Sequence, residues 1–118
     1  MSKYEPRVYN DGVCFIVKEN ESSTSFAAKK NGKKIEDFEK LFRLMFEEKS
    51  IREQDIDFAE ANSRTLNRKI KTQLVTGWKS TNKIIIENVL YDIINADIDR
   101  KNREIYFYLE EVLQLVET

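Results

Sequence analysis

The residues from Lys83 to Leu113 constrain the fold most, because they predict three successive β-strands joined by short reversals. The first two strands, Lys83–Glu87 and Val89–Asp97, are separated by a tight turn at Glu87-Asn88. A charged reversal then leads into the third strand, Glu104–Leu113. Strands that follow one another so closely pair as antiparallel neighbours, so this part of the chain predicts a meander.

The third strand has two chemically different faces. Its apolar residues alternate with aromatic or charged ones: Ile105, Phe107 and Leu109 alternate with Tyr106, Tyr108 and Glu110. A period of two residues is that of a strand and indicates a sheet with one face on a core. The meander contains no nucleophile, metal cluster or phosphate-binding loop, so it favours an assembly role over catalysis.

The N-terminal part of the chain predicts a β-hairpin and then a long loop. The β-prone runs Tyr4–Tyr9 and Val13–Lys18 flank Asn10-Asp11-Gly12. Asp-Gly is a strong hairpin signal, because glycine accepts the positive φ that such turns need. Residues 19–34 are polar, with Phe26 as their large apolar anchor, and are expected to form a loop.

The middle of the chain predicts a strand and a short helix. Ile35–Lys49 fits both a helical and a strand period, and periodicity alone does not decide between them. We expect a helical lead-in at Glu36–Lys40 and a strand from Leu41 to about Glu48. Ser50-Ile51-Arg52-Glu53 has the pattern of a capping box, which predicts a helix over Ile51–Ala61. Its acid-rich side is expected to face water or a partner.

Leu66–Val75 returns to strand alternation. Arg68 falls on the apolar face with Ile70, whereas Lys69 and Lys71 fall on the opposite face, so no single basic stripe results. Together the segments predict a mainly β fold, a small antiparallel β-barrel of about six strands with one short helix and long loops. At 118 residues the chain fits one domain over residues 1–118.

Composition argues against catalysis and metal binding. Histidine is absent, which removes the commonest general base and the commonest transition-metal ligand. The single cysteine, Cys14, lies in an apolar run, and we interpret it as a core residue in a reducing compartment. Acidic pairs such as Asp55 and Asp57 lack the spacing of a calcium loop and are interpreted as solvated surface. We therefore expect no enzymatic activity, no metal and no cofactor.

Charge and hydropathy narrow the range of partners. Charged residues make up 35% of the chain, yet the net charge is −1, so global electrostatics do not drive DNA binding. Charge at this density is either heavily solvated or meets other copies or other proteins. No apolar run approaches the roughly 20 residues needed to cross a bilayer, so we expect no membrane contact.

The order of features along the chain is informative. A strand ending in Phe46-Glu47-Glu48-Lys49-Ser50 is followed by the polar segment 51–55 and the basic strand 67–72. The chain then ends in Lys83-Ile84-Ile85-Ile86, Tyr91-Asp92-Ile93 and a closing strand. This order, after an N-terminal hairpin, resembles the head–tail joining proteins of tailed bacteriophages, also called head closure, head completion or stopper proteins.

Two positions depart from that family's pattern. The turn in the C-terminal element is often glycine-rich in the family, whereas here it is Glu87-Asn88. Asparagine still takes the left-handed conformation, so we expect the hairpin to form. The tryptophan common in the strand before the polar segment is absent, and Phe42, Leu44 and Phe46 lie in its neighbourhood.

The resemblance implies a role in the virion. Such proteins are small β-barrels that form a ring beneath the portal and its adaptor after DNA packaging, extend or close the DNA channel and provide the docking platform for the tail. It implies a homo-oligomeric ring, expected to be a dodecamer in the virion and a monomer in isolation. The implied partners are the portal–adaptor complex, tail-completion or tail proteins, and double-stranded DNA that passes without sequence-specific contact. The implied location is the virion head–tail interface, reached from the host cytoplasm during assembly.

In that family the polar segment after the first long strand lines the channel, and Glu47–Thr65 matches it by position. The channel-lining residues implied by the resemblance are Glu47, Glu48, Ser50, Arg52, Glu53, Gln54, Asp55, Asp57, Glu60 and Arg64. Acidic copies around a ring repel passing phosphates, so DNA slides without sticking. The two arginines can instead bridge to acids on neighbouring subunits. Because the segment is polar, we expect it to be disordered or frayed in a monomer and ordered in the ring.

Other interpretations stay open. A small nucleic-acid-binding barrel predicts that Lys69, Lys71, Tyr106 and Tyr108 form a basic aromatic platform. Another phage interaction protein, such as a tail-completion factor or an inhibitor of a host enzyme, is a third. Trp78 lies in a loop, where it either pins the loop to the barrel rim or serves as an interface anchor.

Overall fold

The computed structural model describes residues 9–20 and 34–116. Within these residues lie six strands, one α-helix and one 3-10 turn. The strands are β1 Gly12–Glu19, β2 Phe38–Glu48, β3 Arg68–Gln73, β4 Lys83–Ile86, β5 Val89–Asp99 and β6 Glu104–Gln114; the helix α1 is Glu53–Ala61 and the 3-10 turn is Ile35–Asp37. The predicted strand Tyr4–Tyr9, apart from Tyr9, and most of the predicted loop with Phe26 lie outside the described residues.

The six strands form one closed antiparallel barrel in the order β1-β2-β3-β6-β5-β4, with β4 pairing back to β1. The barrel consists of two three-stranded meanders, β1–β2–β3 and β4–β5–β6. They are joined by the pairings β3–β6 and β1–β4. The prediction of a mainly β fold, a small antiparallel barrel with one short helix, is confirmed.

The pairings differ greatly in length. β5 and β6 pair from Val89↔Gln114 to Asp99↔Glu104, along their whole length. β2 and β3 pair only from Phe46↔Thr72 to Glu48↔Ile70, and β1 and β4 also share three register pairs. The part of β2 before residue 46 therefore has β1 as its partner on one side and no pairing with β3 on the other.

The predicted turn at Glu87-Asn88 takes the backbone conformation that the sequence requires, and Gly12 takes the positive φ expected of it. Glu87 and Asn88 have φ of 49° and 67°, the positive values that a two-residue hairpin turn needs at both positions. Gly12 has φ of 146°, and a Cβ added there lies 3.0 Å from the Phe46 ring. Asp11 fastens the start of β1 to the end of β2, because its N–H donates to the Phe46 carbonyl at 2.9 Å.

Side chains from all six strands fill the barrel interior. The alternation predicted for β6 is confirmed, because Ile105, Phe107 and Leu109 are fully buried there. The buried interior set is Cys14, Ile16, Phe46, Ile70, Ile84, Ile86, Tyr91, Ile93, Ile105, Phe107 and Leu109. Burial of this apolar surface is the main stabilising contribution to the barrel.

A second, smaller apolar cluster lies outside the barrel wall. It consists of Val17, Phe38, Ile85, Leu90 and Leu115. This cluster explains why β4 is apolar at three successive positions: its middle residue packs outward while the residues on either side pack inward.

The helical lead-in predicted for Glu36–Lys40 is wrong. A single 3-10 turn ends at Asp37, and β2 begins at Phe38, three residues earlier than predicted. Phe38 pairs with Glu19 and is buried in the outer cluster, so packing against β1 decides an ambiguous period in favour of a strand.

The predicted start of the helix is also wrong. Ser50 is exposed, and the N-cap is Arg52, two residues later. The Arg52 N–H donates to Asp55 Oδ2 at 3.0 Å, so Asp55 supplies the carboxylate contact of a capping box. The helix therefore covers Glu53–Ala61, nine residues instead of the predicted eleven from Ile51.

Candidate functional site

Helix α1 lies against the outer face of β3 and β6 and is held there by polar contacts at both ends. Asp55 and Ala59 are its two buried residues. Asp55 Oδ2 accepts a hydrogen bond from Lys69 Nζ on β3 at 3.1 Å, and these side chains are only 6% and 8% exposed. Just after the helix, Arg64 Nε donates to Glu110 Oε1 on β6 at 2.6 Å. The helix is thus anchored to neighbouring strands at its start and its end.

Asp55 is the centre of the contact at the start of the helix. Its carboxylate accepts hydrogen bonds from the Arg52 guanidinium, Nη2 to Oδ1 at 3.1 Å and Nε to Oδ2 at 3.2 Å. Burial acts to raise the pKa of this carboxyl, but the hydrogen bonds from Arg52 and Lys69 outweigh it and lower the pKa to about 2. Asp55 is therefore ionised at all but strongly acidic pH.

An open pocket of about 460 Å³ lies beside this anchor. Its lining combines charged residues of both signs with uncharged ones: Lys49, Ser50, Arg52, Lys69, Asp97, Ile98, Asp99, Tyr106 and Tyr108. The Tyr108 hydroxyl donates to Asp97 Oδ2 at 2.6 Å, and burial together with this hydrogen bond raises the pKa of Tyr108. The Lys69 ammonium lies 5.1 Å from the centre of the Tyr108 ring. The mixed charge gives the pocket no strong preference for an anion or a cation.

The structure places most of the implied channel-lining residues on the surface. Glu48, Ser50, Arg52, Glu53, Gln54, Asp57 and Glu60 are exposed, Glu47 and Arg64 are half-buried, and Asp55 is buried. The expectation that Asp55 faces water or a partner is wrong, because it anchors the helix to Lys69. Arg64 is also engaged within the chain, by Glu110 and by Asp92 at 3.1 Å.

Three acids of the helix lie on one outward stripe. Glu53, Asp57 and Glu60 recur at helical spacing on the side opposite the buried Asp55 and Ala59. None of the three forms an ion pair with any of residues 9–20 and 34–116. The helix therefore presents uncompensated negative charge to the surroundings of the barrel.

The expectation that this segment is disordered or frayed in a single chain is wrong for residues 53–61, which form a helix in the single chain. The sequence argument relied on the weak apolar stripe. The contacts that order the helix are instead the charged hydrogen bonds of Asp55 and Arg64, which do not depend on such a stripe.

The residues of the alternative basic aromatic platform do lie together. Lys69 is opposite Tyr108, and Lys71 is opposite Tyr106, across the β3–β6 pairing. Their positive charges are nevertheless compensated within the chain. Lys71 Nζ lies 3.4 Å from Glu104 and 3.6 Å from Glu47, and Lys69 is paired with Asp55. Burial acts to lower the pKa of Lys71, but the two glutamates outweigh it and raise the pKa.

Trp78 packs against the barrel core. Its ring centre lies 5.2 Å from that of Phe107, with the planes at 75°, an edge-to-face arrangement. It is half-buried and joins the interior cluster from the loop between β3 and β4. The structure therefore gives Trp78 the pinning contact that was one of the two interpretations of this residue.

Arg68 has a role that the sequence analysis did not identify. It lies on the inward-facing side of β3, with its guanidinium 5.2 Å from the Phe46 ring centre. Its Nη1 donates to the Tyr91 hydroxyl at 3.2 Å and its Nε to Glu48 Oε1 at 2.8 Å. The available signal was a single cation on the otherwise apolar face of a predicted strand, which demands internal partners.

The described ranges, 9–20 and 34–116, contain no cluster of three or more side chains able to hold a metal ion. No helix within these two ranges is long and apolar enough to span a membrane. Comparison of the chain with protein-family models and with curated proteins gives no match. The candidate site is therefore interpreted from its own geometry, as an anchored helix with an uncompensated acidic stripe.

Proposed function

We propose that this chain is the subunit of a phage head–tail connector. It is a non-enzymatic β-barrel that forms a ring beneath the portal–adaptor complex, extends or closes the DNA channel and provides the docking platform for the tail. The observation that carries the proposal is the excursion between β2 and β3. There a closed barrel presents a short helix whose exposed acids have no ion-pair partner within residues 9–20 and 34–116, at the position where the family resemblance puts the channel-lining segment.

The electrostatics of the helix support this role. Glu53, Asp57 and Glu60 are exposed and form no ion pair with the residues that the structure describes, whereas Asp55 holds the helix in a fixed position on the barrel. In a ring, acids from every copy surround the same axis and create a negative potential that repels DNA phosphates. Double-stranded DNA then passes the ring without binding to it.

The other charged groups around the helix support a structural role. Asp92 and Glu110 hold Arg64, and Glu104 accepts a hydrogen bond from the Tyr9 hydroxyl at 2.7 Å. Carboxylates engaged in this way stabilise the positions of neighbouring segments and do not present a free base to a substrate.

The deciding experiment is electron microscopy of the protein mixed with portal–adaptor complexes of its own phage. We expect an added coaxial ring beneath the adaptor, with α1 facing the lumen. A Glu53→Lys/Glu60→Lys variant is expected to form the same ring but to retain DNA in the channel, because the potential there changes sign. Lys79→Glu, a charge change at an exposed position outside the helix, is the matched control. Absence of a ring with the wild-type protein contradicts the connector role.

A nucleic-acid-binding barrel is the second candidate, favoured by the register that sets Lys69 and Lys71 opposite two tyrosines. It predicts that the protein retards single-stranded DNA in a gel, that added salt abolishes the effect, and that Lys71→Ala and Tyr106→Ala weaken it. Lys79→Ala is the control in this assay. The connector proposal expects no retardation by the wild-type protein. Partner binding without a ring or retardation instead points to a different phage interaction protein.

A further inference from the structure

We infer that the ring is held together by a head-to-tail contact in which α1 of one subunit docks on the outer face of β2 of the next. The partner is a second copy of this chain. The inference rests on the proposed function, because it names the contact that joins the subunits of the connector ring.

The receiving surface is the outward side of β2. Leu41 and Met45 are 37% and 46% exposed there, and the exposed Arg43 lies between them in the strand. The inward side of the same stretch carries Phe42 and Leu44, which pack against the barrel interior. Apolar side chains this exposed on a sheet face are typical of a surface that is covered in an assembly.

Arg43 supplies the charge of that surface. It forms no ion pair within residues 9–20 and 34–116, although most of the cations on neighbouring strands do, for example Lys18 with Glu39. Lys40, the residue before Leu41, contacts the Phe15 ring at 4.2 Å and adds positive charge to this part of β2. The surface therefore combines apolar area with a cationic centre.

The docking surface on the helix has the opposite charge. Phe58 is 51% exposed, the largest exposed fraction among the big apolar side chains of the described ranges. At about 100° per residue, Gln54 and Ala61 lie on the same side of the helix as Phe58, and Asp57 lies between that side and the stripe of Glu53 and Glu60. Asp57 has no ion-pair partner in the part of the chain that the structure describes. The surface therefore combines one aromatic anchor with an anionic centre.

The arrangement leaves the remaining acids of the helix available to the lumen. Glu53 and Glu60 lie on the other side of Asp57 from Phe58. One side of the helix thus meets the next subunit while the other faces the channel. This division reconciles an exposed phenylalanine with a segment that lies beside passing DNA.

The positions of the two surfaces favour a ring over a two-fold dimer. The helix is anchored on β3 and β6, whereas the receiving surface lies on β2, beside β1. Each surface complements the other in charge, and neither complements itself. A contact between two different surfaces of one molecule propagates head to tail and closes into a ring when the rotation permits.

Charge reversal tests this contact directly. Arg43→Glu and Asp57→Arg each place like charges opposite one another, so each variant alone is expected to form rings on the portal–adaptor complex at least about tenfold less readily. An equimolar mixture of the two variants is expected to restore ring formation. In the mixture the helix of each Asp57→Arg subunit can face the β2 surface of an Arg43→Glu subunit, and each unaltered helix can face an unaltered Arg43. Lys79→Glu is the control that leaves assembly unchanged.

The outcomes separate the two proposals. Normal rings from both single variants overturn the contact while the connector role stands. Failure of the mixture to restore assembly also overturns the contact and leaves the connector role standing. Intact rings of Arg43→Glu that no longer hold the adaptor assign the β2 surface to the adaptor, which also overturns the contact. If the wild type forms no ring, the connector role falls, and sedimentation of the same variants then decides the contact. Self-association with the same pattern supports it, and a monomer at all concentrations overturns it. Thermal unfolding by circular dichroism verifies that each variant is folded.

Discussion

At the scale of single residues, the ion pair between Asp55 and Lys69 determines where the helix lies. Both side chains are nearly inaccessible to water, and the Arg52 guanidinium adds two further hydrogen bonds to the same carboxylate. Such a pair is weak evidence for net stability, because desolvation opposes its attraction, but breaking it leaves a buried charge without a partner. Its main contribution is therefore to fix one position for α1.

Replacing Asp55 by asparagine is expected to destabilise the protein by about 2 kcal/mol, because the Lys69 ammonium stays buried without its counter-charge. Chemical denaturation followed by circular dichroism measures the change. Asp57→Asn, on the exposed side of the same helix, is the matched control and is expected to change the free energy of unfolding by less than about 0.5 kcal/mol. Equal effects of the two substitutions contradict the anchoring role.

The same carboxylate gives a pH dependence with a defined sign. The pKa of Asp55 is lowered to about 2 in the folded chain, whereas that of an unfolded aspartate is about 3.9. The contribution is therefore fully present above pH ~4 and is lost as the pH falls towards ~2. We expect the wild type to lose about 1 to 2 kcal/mol more than Asp55→Asn across this window, allowing for screening by nearby water. Parallel curves of unfolding free energy against pH contradict this.

Residue roles that depend on distant partners are the ones sequence analysis missed. The surface interpretation of Asp55 follows from its polar neighbours in sequence, but its partner Lys69 is fourteen positions away, on a strand whose register the chain alone does not reveal. Arg68 was placed on the correct face, whereas its contacts with Tyr91 and Glu48 depend on barrel closure. Local patterns report the side of an element on which a residue lies, and the partner is set by tertiary pairing.

At the scale of elements, an aromatic contact holds the connection between β3 and β4 against the core. The two strands are not neighbours in the barrel, so residues 74–82 must cross between them. Trp78 places its ring edge-to-face on Phe107 and so holds the connection against the core.

Trp78→Ala is expected to destabilise the protein by about 2 kcal/mol, less than a fully buried tryptophan, because the ring is half-exposed. Denaturant titration followed by circular dichroism measures the loss, since the variant has no tryptophan fluorescence. Lys79→Ala, next to it in the same loop, is the control. If the two variants are equally stable, the ring does not pin the loop.

Elements with a clean period were predicted well, and those with two competing periods were not. In β6 the alternation is regular, and its predicted limits lie within one residue of Glu104–Gln114. Around Phe38 the helical and strand periods coexist, and the choice depends on the outer cluster, whose members come from distant parts of the chain. The start of α1 was misplaced because Ser50 and Glu53 fit the pattern of a capping box. The capping contact that forms lies two residues later, between Arg52 and Asp55.

At the scale of the whole molecule, the barrel closes through unequal pairings. β5 and β6 pair along their whole length, whereas β1–β4 and β2–β3 each share three register pairs. Among residues 9–20 and 34–116, the first part of β2 is paired with β1 alone. The fold class was predictable because most strands are neighbours in sequence, but the closure of β1 onto β4 has no sequence signal.

Native-state hydrogen exchange is expected to reflect this inequality. Amide protons in the β5–β6 ladder should exchange slowest, at rates set by global unfolding, because these two strands pair with each other along their whole length. Amides of residues 38–45 that point away from β1 should exchange faster by local opening. Uniform protection across all six strands contradicts unequal closure. In the assembled ring, the inferred contact predicts added protection of this part of β2.

Cys14 gives the molecule a practical property. It is the single cysteine of the chain, fully enclosed in the barrel interior, and burial raises the pKa of its thiol to about 12. A thiol that is neither accessible nor ionised does not react with maleimides or disulfide reagents while the barrel is closed. The natural sequence therefore suits site-specific labelling, because a cysteine introduced on the outer surface is the only one that reacts with a dye or spin label. The rate at which Cys14 itself is modified reports the rate at which the barrel opens.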